Sequence, residues 1–319
     1  MSDYPAFVDI REEGPREGFQ IEPGPIATSE KIRLIEALAE TGLTHIQVCS
    51  FVNTRLVPGW ADAEATVQGF TPRPGVHYTG LWFNGNGLER ALVFRDKLTL
   101  SGSISLTASE GFTRKNLNRS HEENLAAMRK QTALHLSHGV PVNRIGVMAA
   151  FGCNYQGDIS PEQVVSTVAD GMAIAAEHGT TIEVISLADT MGWAAPHRIE
   201  RVIGDVRSRW PGQTIALHLH DTRGLAVANA AAAMRMGVAQ FDSPVGGLGG
   251  CPFAGQKGAA GNICTEELAL LCAEMGLATG IDLDRLIEVG RMAEAIVAHV
   301  LPSELIHAGS LDAFRRVVA

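Results

Sequence analysis

A (β/α)8 barrel is the fold class this sequence predicts, on three observations. Strand-like and helix-like segments alternate eight times along 319 residues, which favours parallel strands with helical crossovers, and eight units favour closure into a barrel. The chemically distinctive residues fall where strand-like runs end, the C-terminal face on which such barrels place function. No dinucleotide-type glycine fingerprint follows the first strand, which argues against the alternative, an open doubly wound sheet. The whole chain, 1–319, reads as one barrel domain with a short C-terminal helical extension.

The strand-like runs end near Arg11, Ser50, Phe83, Ala108, Ala150, Ala188, Asp221 and Val245. Between them, Thr28 or Ser29 opens a helix through Ile32, Ile35, Leu38 and Ala39 that Gly42 stops. Ser120 with Glu123 forms a capping box before a helix that runs to about His138 and stops at Gly139. Ser160-Pro161-Glu162-Gln163 supplies an N-cap serine, a proline at the first helical position and a glutamine to complete a second box. Val164, Val165, Val168, Ala169, Met172, Ala173 and Ala176 then form an apolar face that ends at Gly179.

Composition narrows the class. Apolar residues make up 45% and charged residues 19% of the chain, enough for a sizeable core. A net charge of −9 leaves no basic face to neutralise phosphates, so nucleic acid is not expected as a partner. Five cysteines without paired spacing do not make a disulfide framework and fit a reducing compartment. No basic-then-apolar leader and no run of 18 apolar residues is present, so a cytoplasmic protein without a membrane span is expected.

The segment Ile215-Ala216-Leu217-His218-Leu219-His220-Asp221 reads as a buried strand ending in two imidazoles and a carboxylate. Side chains alternate along a strand, so His218 and His220 face the same way, roughly 7 Å apart at the backbone. Two such histidines suit a metal site; hydrogen-bonded core histidines are the structural alternative. Gly14-Pro15-Arg16-Glu17-Gly18-Phe19-Gln20 follows the first strand. Its cation–carboxylate pair is either a surface ion pair or a metal ligand beside an arginine that holds an anionic group. Further strand ends carry Gln47 to Phe51, Ala188 to Gly192, and Gly246-Gly247-Leu248-Gly249-Gly250-Cys251-Pro252 followed by Gly258 to Asn262.

Taken in this order, these segments resemble the hydroxymethylglutaryl-CoA lyase branch of the metal-dependent lyase and synthase TIM barrels. The resemblance runs from about Asp9 to about Ala298 and extends to Ala108-Ser109-Glu110, Thr113 to Asn118 and Phe151 to Gly157. It implies a divalent metal, magnesium or manganese, with Glu17, His218, His220 and Asn262 as ligands. It implies Arg16 and Cys251 as catalytic residues, Asp189 near the substrate, and His220 or Asp189 as the base. Arg16, Gln20 and Gln47 would contact an acyl-CoA substrate whose coenzyme A moiety lies across the rim. Arg55, Arg114 and Lys115 are candidates for its phosphates or, singly, solvated charges. The implied reaction is retro-Claisen cleavage of 3-hydroxy-3-methylglutaryl-CoA to acetyl-CoA and acetoacetate, as in leucine breakdown. Citramalyl-CoA, a methylmalyl-CoA or a longer branched 3-hydroxyglutaryl-CoA is the alternative substrate. A condensing synthase and a non-catalytic acyl-CoA-binding protein are remoter readings. A homodimer is the implied assembly.

Three departures bear on the site. Glu17 stands where the family has aspartate, one methylene shorter. Gln47 stands where it has glutamate, which removes a negative charge. The loop after Cys251 is about two residues longer than the family's and adds Lys257.

Overall fold

The structure, a computed structural model, describes residues 4–250 and 260–318. Eight strands alternate with helices in chain order, the parallel α/β plan the sequence predicts: β1 (Asp9–Glu12), β2 (His45–Ser50), β3 (His77–Leu81), β4 (Gly102–Thr107), β5 (Val142–Met148), β6 (Val184–Ala188), β7 (Thr214–His218) and β8 (Gln240–Ser243). The chain divides into two compact units, one built mainly of Leu100–Phe241 and the other of Ala6–Thr99, Asp242–Gly250 and Ala260–Ala319.

In the Leu100–Phe241 unit the strand order is β7-β6-β5-β4, with the first residues of β8 beside β7. The pairing is parallel and in register from Val184 opposite Thr214 to Ala188 opposite His218. Ile104, Leu106, Ile145, Val147, Ile185, Leu187, Ile215 and Leu217 are buried, as expected of parallel strands covered by crossover helices. Both capping boxes form, Ser120 with Glu123 and Ser160 with Gln163, and Gly139 and Gly179 stop those helices at positive φ.

The buried face of the Pro161–Glu177 helix is Val164, Thr167, Val168, Gly171, Ile174 and Ala175; Ala173 and Ala176 of the expected stripe are exposed. Gly171 explains the shift. A Cβ there would lie 2.9 Å from Ile145 Cδ1, so the helix sits on the sheet over its smallest residue rather than over its most apolar stripe. The seventh strand also ends earlier than expected, at His218, and His220 follows as an isolated bridge residue.

In the other unit β3, β2 and β1 pair in parallel, with the last residues of β8 beside β1. The helix after β1, Gly14–Ile21, has Pro15 in its first turn, where a missing N–H costs nothing. The next helix, Thr28–Ala39, has Ala27 at its N-cap and no side-chain cap. Thr28 is its first residue rather than its cap, and its hydroxyl donates to Asp62 Oδ2 at 2.6 Å. Leu34, Ile35 and Leu38 of this helix are buried with Ile10, Ile46 and Val48 of the strands. After the Leu283–Val297 helix the chain adds two short helices, Glu304–Ala308 and Leu311–Val318.

Candidate functional site

The Gly14–Ile21 helix presents Arg16 and Glu17 as neighbours because the chain turns into it directly from β1. Glu12, the last residue of β1, is fully buried and fixes that turn. Its Oε1 accepts from Gly14 N at 2.7 Å and from Val245 N at 2.9 Å, and its Oε2 from Thr265 Oγ1 at 2.7 Å. Burial pushes its carboxyl up to about 7 despite these three donors. One carboxylate thus ties the start of the Arg16–Glu17 helix to the start of the glycine-rich loop.

Arg16 is held from several sides. Its Nη2 donates to Glu13 Oε2 at 2.6 Å and lies 3.2 Å from Glu17 Oε2, while its Nε donates to Gln47 Oε1. The Trp60 indole N–H donates to the Arg16 carbonyl at 3.0 Å. Glu17 Oε1 accepts from Asn262 Nδ2 at 2.9 Å and from Gly250 N at 3.2 Å. Gly249 makes that approach possible: its φ is +87°, and a Cβ on it would lie 2.7 Å from Glu17 Cγ. Asn262 Nδ2 also donates to Leu248 O at 3.2 Å. Its Oδ1 is buried and has no hydrogen-bond partner among the described residues, and the same holds for Gln20 Oε1.

In the Leu100–Phe241 unit, His218 ends β7 and His220 lies two residues on. Their Nε2 atoms face each other at 3.2 Å with ring centroids 5.2 Å apart, the same-facing pair the alternation predicts. Asp189, just past β6, is buried; Oδ1 accepts from Trp193 N at 2.7 Å and Oδ2 from Ala194 N at 3.0 Å. Burial pushes its carboxyl up to about 6, against those two N–H groups and the nearby Arg223 and His218. Asp221 has a structural task, accepting from Ala226 N at 2.8 Å at the start of the next helix. Cys251, with the rest of residues 251–259, lies outside the described residues. Of the phosphate candidates, Arg114 is paired with Glu110 at 2.6 Å; Arg55 and Lys115 are exposed.

The donor set fits a divalent cation. In one unit Glu17 offers a carboxylate and Asn262 a buried amide oxygen with no hydrogen-bond partner among the described residues; in the other His218 and His220 offer two ring nitrogens 3.2 Å apart. Mixed oxygen and imidazole donors suit magnesium or manganese better than a closed tetrahedral zinc site. Sequence reading missed Glu12, Glu13 and Trp60. Glu12 carried a signal, an acid in the inward register of Val8 and Ile10, and Glu13 another, three residues before Arg16 on a helix. Trp60 carried none.

Residues 7–293 match the family model described as HMGL-like. The chain belongs to the HMGL-like family. A hydroxymethylglutaryl-CoA lyase of Bacillus subtilis is 38% identical over 300 residues, 94% of this chain and 96% of that one. Among solved structures, the hydroxymethylglutaryl-CoA lyase of Pseudomonas aeruginosa superposes with a TM-score of 0.87 at 35% identity, covering 96% of this chain and 98% of that one. An HMG-CoA lyase from Acinetobacter baumannii in complex with coenzyme A and 3-methylmalate gives a TM-score of 0.85 at 36% identity, with 96% of each chain covered. Likeness at this level makes the fold of this HMGL-like chain the (β/α)8 barrel and the chain itself a lyase. No helix among the described residues is long and apolar enough to cross a membrane.

Proposed function

We propose that this HMGL-like chain cleaves 3-hydroxy-3-methylglutaryl-CoA to acetyl-CoA and acetoacetate, with magnesium or manganese held by Glu17, Asn262, His218 and His220. The observation that carries the reading is the pair at the start of the Gly14–Ile21 helix: a guanidinium fixed by Glu13 and Gln47, next to a carboxylate turned toward Asn262. Family membership and the coenzyme A complex of a 36% identical relative support it. The chain acts as a single barrel domain, 1–319, with its C-terminal helices as an extension. A homodimer and a role in leucine breakdown rest on the family resemblance, and a cytoplasmic location on five cysteines without paired spacing.

When bound there, a divalent cation supplies Lewis acidity to the substrate's hydroxyl and carboxylate oxygens. The chain's own residues do the rest. Asp189, or His220 once released from the cation, takes the hydroxyl proton, the C2–C3 bond breaks, acetoacetate departs as the ketone, and the electron pair stays on the thioester fragment as an enolate. Arg16 donates to the thioester oxygen, a task for a donor that is permanently charged and already fixed. Gln20 and Gln47 border the substrate; Gln47, being neutral, can orient Arg16 but cannot act as a base. Cys251 returns a proton to the enolate carbon.

The test is product analysis on a panel of 3-hydroxyacyl-CoAs with magnesium and with manganese. Acetyl-CoA and acetoacetate are expected from the hydroxymethylglutaryl thioester. Propionyl-CoA from an α-methylated thioester in its place would move the substrate to a neighbouring acyl group. Binding of acyl-CoA without cleavage of any panel member would make the chain a binding protein.

A further inference from the structure

We infer that Glu13 is a positioning residue for the reaction: it supplies Arg16 with the carboxylate that Gln47 on β2 does not. This rests on the reading of Arg16 as the residue that holds the thioester oxygen. Arg16 and Glu13 side chains are only 12% and 14% exposed, so the guanidinium is largely out of water and needs a charged partner close by. Among the described residues, three side chains reach it. Gln47 accepts from Nε but is neutral. Glu17 lies 3.2 Å from Nη2, but its other oxygen already accepts from Asn262 and Gly250, and its charge is shared with any cation it ligates. Glu13 is the remaining carboxylate, and its 2.6 Å contact is the shortest measured to an Arg16 Nη.

Glu13 is also well anchored. Its N–H donates to Ser243 O at 3.0 Å, and its carbonyl accepts from Glu17 N at 2.8 Å. It therefore sits at the turn where β1 becomes the Gly14–Ile21 helix, fixed to β8 on one side and to the first turn of that helix on the other. Arg16 is gripped along two edges, Nε by the β2 amide and Nη2 by Glu13, which leaves Nη1 as the group free of these two grips and able to reach a substrate oxygen. The family places its carboxylate on the second strand. Here the charge comes from the residue three positions before the arginine, and the strand residue keeps only the hydrogen bond.

The test is a charge swap with two readouts. The Nε–Hε resonance of Arg16, assigned by its loss in R16K, is followed in metal-free protein, and kcat and KM are measured on metal-loaded protein. Wild-type protein is expected to show a sharp, slowly exchanging resonance. E13Q is expected to broaden it and to lower kcat about tenfold or more with KM changed little, as a misplaced catalytic donor does, in protein that remains folded by circular dichroism. E13D, which keeps the charge at a shorter reach, is expected to fall between the two. E13Q/Q47E, with the carboxylate moved to β2, is expected to recover the resonance and most of the rate. An Arg16 resonance that is unaltered in E13Q overturns the inference, and so does an E13Q/Q47E protein no better than E13Q. If wild-type protein cleaves no acyl-CoA, the functional reading fails, and the resonance alone decides the role of Glu13.

Discussion

In the proposed mechanism, Arg16 is where the chemistry of this chain is most exposed to a single change. Its planar fork reaches Glu13 through Nη2 and Gln47 through Nε. In the proposed mechanism, replacing it with alanine removes the donor that meets the developing enolate, so kcat should fall about 10²-fold or more while substrate affinity changes far less. Steady-state kinetics on folded R16A protein checks this; a kcat near that of wild type would remove Arg16 from the mechanism. R16K should recover little, because an ammonium cannot hold two partners and still offer a third bond in the same plane.

Elements carry that residue to its place, and two buried ionisable side chains, Lys31 and Glu12, hold the elements. Lys31, with a side chain 2% exposed, reaches from the Thr28–Ala39 helix to Asp62 Oδ1 at 2.5 Å and to Gly59 O at 2.6 Å, with its Nζ 4.4 Å from the Trp60 ring centroid. Trp60 in turn holds the Arg16 carbonyl. Asp62→Ala strands the Lys31 charge and frees Thr28 as well, so it should destabilise by about 3 kcal/mol in urea unfolding. A loss below about 1 kcal/mol would mean that the pair contributes no more than a surface ion pair. Glu12 makes a pH prediction. Its folded-state carboxyl is raised from 4.5 to about 7 by burial, so the folded chain holds a proton there that the unfolded chain has lost. The stability this contributes is fully present below pH 4.5 and is lost as pH rises through about 7. The wild-type stability curve should therefore fall across that window relative to the curve of E12Q; parallel curves would show Glu12 ionised throughout. These elements were only partly legible in the sequence. Capping boxes and stop glycines are local, so Ser120, Ser160, Gly139 and Gly179 named their helix ends correctly. The facing of the Pro161–Glu177 helix was not, because Gly171 against Ile145 is a packing choice that hydropathy does not encode.

At the scale of the whole molecule, the alternation of strand and helix announced the fold class, and the strand-end motifs announced the family, because barrel chemistry is concentrated at a few short segments. The same motifs made Arg16, Glu17, His218, His220, Asp189 and Asn262 the candidate site residues on which the proposed function rests. They did not name Glu12, Glu13 or Trp60, whose work is done through hydrogen bonds to residues distant in the chain, Glu12 to Thr265 and Trp60 to Arg16, or through a neighbour whose partner is far away, as Glu13 acts on Arg16 beside Gln47. The central claim is that one divalent cation, held by Glu17, Asn262, His218 and His220, is required for the cleavage. Its most direct test is titration of chelator-stripped protein with manganese, followed by electron paramagnetic resonance and by acetyl-CoA release from the hydroxymethylglutaryl thioester. Activity is expected to be absent in the stripped protein and to return in step with about one tightly bound equivalent, and H218A is expected to lose both. Full cleavage by metal-free protein, or a bound equivalent that survives in H218A, would contradict the account.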